Sequence, residues 1–141
     1  MPTKSASARY DGLGRDGRGQ VSTESGVLNN NPYGFGTRFG DEAGTNPEEL
    51  LAAAHASCFT MALSFALAGA GYQAGTLNTS AKVTLDKDGD GFTITKSALT
   101  LEAKVDGIGP DEFQRIANEA KAGCPLSKVI NAEITLDARL A

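Results

Sequence analysis

The 141-residue sequence predicts an α+β fold with antiparallel sheets around one long, central, buried helix. Three observations predict it. Residues 7–40 break short apolar runs with glycine and asparagine turns, the pattern of a β-meander. Leu50–Tyr72 carries no Asp, Glu, Lys or Arg and follows a strong helix start. The remainder alternates apolar and polar residues as a hairpin and a last strand, with a polar helix between them.

The elements follow in chain order. Asp11-Gly12, Gly17-Arg18-Gly19, Asn29-Asn30-Asn31-Pro32 and Gly34-Phe35-Gly36 punctuate the first segment, which leaves room for three or four short strands. In Gly44-Thr45-Asn46-Pro47-Glu48-Glu49, Asn46 can cap, Pro47 suits the first helical position, and two carboxylates meet the positive end of the helix dipole. The helix behind them is long enough to span a membrane. Its alanine-rich composition and acidic start favour a buried helix of a soluble protein. A helix apolar on all sides must be covered on all sides. One domain spanning residues 1–141 has little material for that, so an obligate, intertwined homodimer with this helix at its centre is expected.

Ala81, Val83 and Leu85 then alternate with polar residues, as do Phe92 and Ile94 after a turn. Leu99, Leu101 and Ala103 continue the strand on odd numbers, and a bulge between Thr95 and Ala98 reconciles the two parities. Pro110-Asp111-Glu112 opens a second helix that Ala122-Gly123 closes, and Cys124-Pro125 opens a short third one. Ile134, Leu136, Ala138 and Leu140 face inward from the last strand.

Composition excludes some functions. The net charge of −4 and the scattered Lys4, Arg9, Arg15, Arg18 and Arg38 offer no basic face for nucleic acid. Met1-Pro2-Thr3-Lys4-Ser5 leads into polar residues without the apolar stretch of a signal peptide, so a cytoplasmic location, and no membrane partner, is expected. Two cysteines in a reducing compartment then do not read as a permanent staple.

Several motifs resemble sites and lack what those sites need. Asp86-Lys87-Asp88-Gly89-Asp90-Gly91 opens like a calcium loop, but Ser97 stands where that loop requires a bidentate Glu, and strands flank it; it reads as a hairpin turn. Gly12-Leu13-Gly14-Arg15-Asp16-Gly17 matches a dinucleotide-binding glycine pattern by letter, yet no helix follows to meet a pyrophosphate. One histidine and no cysteine cluster leave no expected metal site. His55 and Cys58 share a helix face and could form a thiolate–imidazole pair, as in a thiol hydrolase; a core histidine with satisfied hydrogen bonds is the plainer reading.

The two thiols carry the remaining chemistry. A thiol peroxidase needs a thiolate, a cation that keeps it charged, and a second thiol that traps the sulfenic acid. Cys58 lies in mid-helix, where burial raises a thiol's pKa and no dipole opposes it, so it requires a cation. Arginine suits that role because its charge survives burial. Cys124, ahead of Pro125 at a helix start, is the easier thiolate by position. Sequence position leaves open which thiol attacks.

Three stretches resemble the OsmC/Ohr family of organic hydroperoxide reductases: Val21-Ser22-Thr23-Glu24-Ser25-Gly26-Val27-Leu28, the run from Gly44-Thr45-Asn46-Pro47-Glu48 to His55-Ala56-Ser57-Cys58, and Ala122-Gly123-Cys124-Pro125-Leu126-Ser127. Asn31-Pro32-Tyr33-Gly34-Phe35-Gly36-Thr37-Arg38-Phe39 points to the OsmC branch. The resemblance implies an OsmC-like fold, with Cys58 as the peroxidatic thiol and Cys124 as the resolving one. It also implies an arginine–glutamate pair that activates Cys58. Glu48 matches the glutamate, and Arg38 is preferred over Arg15 and Arg18 for the arginine.

Organic hydroperoxides are the implied substrates, with hydrogen peroxide reduced less well. The implied reductant is an external dithiol, a lipoyl protein or small thiol, with no bound cofactor. Phe59, Met61 and Phe65 are candidate pocket residues that could equally be core. Ten helical residues separate Glu48 from Cys58, about 15 Å of rise, which is far for direct contact; with active sites at the subunit interface Glu48 could serve the Cys58 of a second subunit, and spacing leaves open whether it acts there or in its own chain. The competing reading is a non-catalytic stress protein whose Cys58–Cys124 disulfide is structural or regulatory.

Overall fold

Glycine decides where the first fifty residues turn and how closely their strands approach. The computed structural model describes residues 1–141, in two compact units, Met1–Leu50 and Leu51–Ala141. In the first, β1 (Ala6–Asp11), β2 (Arg18–Thr23) and β3 (Asn31–Tyr33) form an antiparallel sheet in the order β1-β2-β3, with a 3₁₀ turn over Gly14–Asp16. Gly19 on β2 sits opposite both Tyr10 and Tyr33, and a Cβ there would fall 2.5 Å from the Tyr33 ring, so only glycine fits.

A short helix, α1 (Phe35–Phe39), stands where the sequence suggested a further turn or strand. Gly34-Phe35-Gly36 reads as a breaker, but the Thr37 hydroxyl accepts the Gly34 N–H at 2.9 Å and stabilises one helical turn. Phe35 and Phe39 then stack four residues apart, with ring centroids 5.0 Å from each other. This unit has no apolar core of its own: its buried residues are Gly19, Thr37 and Thr45.

Helix α2 runs from Pro47 to Gly69 without interruption. Asn46 caps it as expected, its Oδ1 accepting the Glu49 N–H at 2.8 Å. His55, Phe59, Leu63 and Leu67 are buried at four-residue intervals along one face. The opposite face is open in a single chain, with Met61 64% and Phe65 73% exposed. Burial of the central helix is therefore one-sided here. By length and composition the helix could cross a membrane, with a mean hydropathy of 1.7.

β4 (Gly75–Asp88) and β5 (Gly91–Val105) form the expected hairpin, and Gly89 takes the positive φ of its turn. The register steps from Leu85↔Ile94 to Thr84↔Lys96. Thr95 is thus the extra residue, at the near end of the stretch where the change of parity required a bulge. From Ser97 onward the odd-numbered side chains face the core.

One pairing departs from the antiparallel expectation. β6 (Glu133–Leu140) lies parallel to β5, giving a mixed sheet in the order β4-β5-β6. Parallel neighbours need a crossover. Here it is supplied by α3 (Pro110–Gly123) and α4 (Pro125–Val129). Alternation predicts which face of β6 is buried but not which way the strand runs. The amphipathic α3 places Phe113, Ile116, Ala117 and Ala120 in a core shared with Phe59, Leu63 and Leu67 of α2 and with Leu99, Leu101, Ala103 and Val105 of β5.

Candidate active site

Proline fixes the position of the second thiol. The residue before a proline is pushed out of the helical region, so Cys124 adopts φ −60°, ψ 128° and separates α3 from α4. Its N–H still closes α3 on the Ala120 carbonyl at 2.9 Å, and its carbonyl accepts the Lys128 N–H of α4 at 3.2 Å. Cys124 is fully buried and Cys58, on α2, is half-buried. Both are free thiols, and they hydrogen-bond to each other.

That hydrogen bond splits their acidities. Burial pushes the Cys58 thiol up, and its bond to Cys124 pushes it further. Burial also disfavours the Cys124 thiolate, but the bond from Cys58, the backbone amides of Ser127 and Leu126 and the Ser127 hydroxyl outweigh it and bring Cys124 below the ordinary thiol range. Within this unit, therefore, Cys124 holds the negative charge more readily, in line with its position before Pro125. Cys58 donates to it and is the weaker acid of the two.

Arg38 and Glu48 meet in a two-pronged ion pair within the first unit: Nε to Oε1 at 2.7 Å and Nη2 to Oε2 at 2.9 Å. The carboxylate is largely shielded and the guanidinium is 37% exposed, so one face of the arginine is held while another stays available. Arg15 lies over the Phe35 ring at 4.2 Å. Together with Tyr10, Tyr33, Phe39 and Arg38 it lines an apolar cleft of about 360 Å³. Arg18, in β2, is exposed. The four expected residues thus form two pairs, Cys58 with Cys124 and Arg38 with Glu48, each inside its own unit. Phe59 belongs to the core, whereas Met61 and Phe65 lie on the open face of α2.

His55 is fully buried with both ring nitrogens engaged: Nδ1 with the Ser97 hydroxyl at 2.6 Å and Nε2 with the Ser127 hydroxyl at 2.9 Å. Desolvation lowers its pKa and keeps the ring neutral. Its hydrogen bonds go to two serines rather than into a direct thiolate–imidazole pair. Sequence reading missed both serines, which lie 42 and 72 residues away. Only the odd parity of Ser97, shared with Leu99 and Leu101, marked it as inward-facing. In the calcium-like loop, Asp88 and Asp86 accept the hydroxyls of Thr93 and Thr95 within the hairpin.

Comparison with known proteins places this geometry. A family model described as OsmC-like protein matches residues 40–139, a span that includes both cysteines and Glu48 and stops short of Arg38. Peroxiredoxin OsmC of Escherichia coli (strain K12) is 56% identical over 137 residues, covering 97% of this chain and 96% of that protein. Organic hydroperoxide resistance protein OhrA of Bacillus subtilis (strain 168) is 34% identical over 100 residues, 68% of each chain. The crystal structure of OhrB of Bacillus subtilis superimposes with a TM-score of 0.69 at 27% identity, covering 99% of this chain and 98% of that one.

Proposed function

Because this chain belongs to the family of OsmC-like proteins, we propose that it is a cysteine-based hydroperoxide reductase in which Cys58 attacks the peroxide and Cys124 resolves the product. The observation that carries this reading is the reduced, hydrogen-bonded Cys58–Cys124 pair in contact with the apolar core. Relatives named for peroxiredoxin activity and for organic hydroperoxide resistance support the reaction class.

The Cys58 thiolate attacks one peroxide oxygen, the O–O bond breaks, and alcohol leaves after protonation, so sulfur is oxidised to a sulfenic acid as the peroxide is reduced. Cys124 then displaces the sulfenic hydroxyl as water and closes the disulfide. An external dithiol, a lipoyl protein or small thiol, reduces that disulfide by exchange and becomes the disulfide itself. No bound cofactor takes part. Arg38, oriented by Glu48, supplies the cation that Cys58 lacks in its own unit, and the Arg38 and Glu48 that serve one Cys58 come from a second subunit. The open face of α2 and the coreless first unit support a homodimer of this kind. Organic hydroperoxides are preferred over hydrogen peroxide, and the enzyme is cytoplasmic, acting on neither membrane nor nucleic acid.

Peroxide consumption by wild type, Cys58→Ser and Cys124→Ser, with cumene hydroperoxide or hydrogen peroxide and excess dithiol, tests this. Cys58→Ser is expected to be inert, and Cys124→Ser to complete one turnover and stall until a small thiol rescues it. Three equally inert proteins would instead make the disulfide structural or regulatory.

A further inference from the structure

Building on that reading, we propose that Asn46 is the positioning residue for the Arg38–Glu48 pair: its side-chain amide braces the helical turn that carries Arg38 against the start of the helix that carries Glu48.

The two members of the ion pair arrive on different elements, Arg38 on α1 and Glu48 in the first turn of α2. Two hydrogen bonds join them side by side, a geometry that tolerates little relative movement of the two backbones. Asn46 bonds to the sequence neighbour of each. Its Nδ2 donates to the carbonyl of Thr37, just before Arg38, at 3.0 Å. Its Oδ1 accepts the N–H of Glu49, just after Glu48, at 2.8 Å. One end of the amide meets an acceptor and the other a donor, so a single planar group in a single orientation holds both elements. Capping the helix requires only the oxygen, and Asp or Ser caps as well as Asn. The nitrogen does something a cap does not need.

The chain around Asn46 is shaped for the same close approach. Gly44, at φ +144°, passes where a Cβ would fall 2.4 Å from the Pro32 carbonyl oxygen and 2.8 Å from the Thr37 methyl. Thr45 is buried beside it, donating its N–H to the Pro32 carbonyl at 3.0 Å and its hydroxyl to Glu49 Oε1 at 2.8 Å. Among residues 44–46, Asn46 has the side chain that bonds to both α1 and α2. The Arg38 guanidinium is 37% exposed, so water takes the place of Glu48 as its partner once α1 shifts.

The test separates capping from bracing. Asn46→Ser and Asn46→Asp both keep an oxygen for the Glu49 N–H, and both lose the donor to Thr37. The serine also adds no charge that could compete for Arg38. The second-order rate with cumene hydroperoxide is expected to fall about 30-fold in both variants, with melting midpoints within about 3 °C of wild type. In a Cys124→Ser background, the pH midpoint for alkylation of Cys58 by iodoacetamide is expected to rise toward that of Arg38→Ala.

A second measurement does not depend on turnover. In proton–nitrogen spectra the Arg38 Nε–H held by Glu48 is expected to give a slowly exchanging signal, assigned by its loss in Arg38→Lys. Asn46→Ser is expected to speed that exchange about 10-fold. An Arg38 signal unchanged in Asn46→Ser overturns the proposal, as does a wild-type rate in both variants while Arg38→Ala is slow. Melting that falls in step with the rate in both variants also overturns it, because the amide then serves the helix end alone. If Arg38→Ala is as fast as wild type, the activating role of Arg38 fails, and the Nε–H exchange judges the brace by itself.

Discussion

One proton shared by two sulfurs governs the chemistry at the scale of single residues. Burial and the bond to Cys124 raise the Cys58 pKa while the surroundings of Cys124 lower its own, and on the proposed mechanism the reactivity of Cys58 depends on the geometry of Arg38 as well as on its charge. A lysine at position 38 keeps the charge but loses the two-pronged grip on Glu48. Arg38→Lys is therefore expected to lower the second-order rate with cumene hydroperoxide on the order of 100-fold in stopped-flow, with melting nearly unchanged. His55 gives a second expectation. Its folded pKa lies below the ordinary value of 6.5, so the unfolded chain binds the proton better. That contribution to stability is complete above the ordinary value and is lost as pH falls through the lower folded one. Urea midpoints measured downward from pH 7.5 should fall, and less steeply in His55→Gln. The resemblance made the Arg38–Glu48 pair legible in the sequence. Ser97 and Ser127 were not, because a histidine's partners are set by which strand and loop fold over it.

Elements show where alternation informs and where it stops. The change of parity between Ile94 and Leu99 required one extra residue, and Thr95 is that residue. The parallel β5–β6 pairing left no such trace, since a strand's inward residues read alike in either direction. Helix α1 was hidden because two of its first three positions, counting the cap, are glycines, which ordinarily break helices. The faces of α2 separate two kinds of apolar residue that the sequence alone merges. Phe59 has no exposed surface and packs in the core, so Phe59→Ala should destabilise the fold by about 3–5 kcal/mol in urea. Phe65 lies on the open face, and Phe65→Ser should instead weaken self-association, as read by sedimentation, while secondary structure is kept.

On the scale of the whole molecule, fifty residues without an apolar core and a helix open along one face are the features on which the proposed homodimer rests. Sedimentation should give twice the chain mass of 14.6 kDa. Melting should be a single transition, as for one domain over 1–141, with a midpoint that rises with protein concentration. A mixed dimer of Glu48→Ala and Cys58→Ser chains tests how the sites are shared: one competent site survives if Glu48 serves the other subunit, and none if it serves its own. The apolar character of α2 was legible in the charge-free run Leu50–Tyr72. The first unit's lack of a core was not, because Val21, Val27 and Leu28 look like interior residues until their neighbours are placed.

Cys124 is at once the last stop of one helix and the cap of the next, so a bond from it to α2 ties three helices at a single knot. Closing that 58-to-124 loop adds about 4 kcal/mol on the chain-entropy model. On the proposed cycle the oxidised form is therefore expected to be harder to unravel, and slower to be cut by a protease, than the reduced form. In that cycle a shortage of reductant would leave the protein in its more durable state, from which restored dithiol would release it without new synthesis.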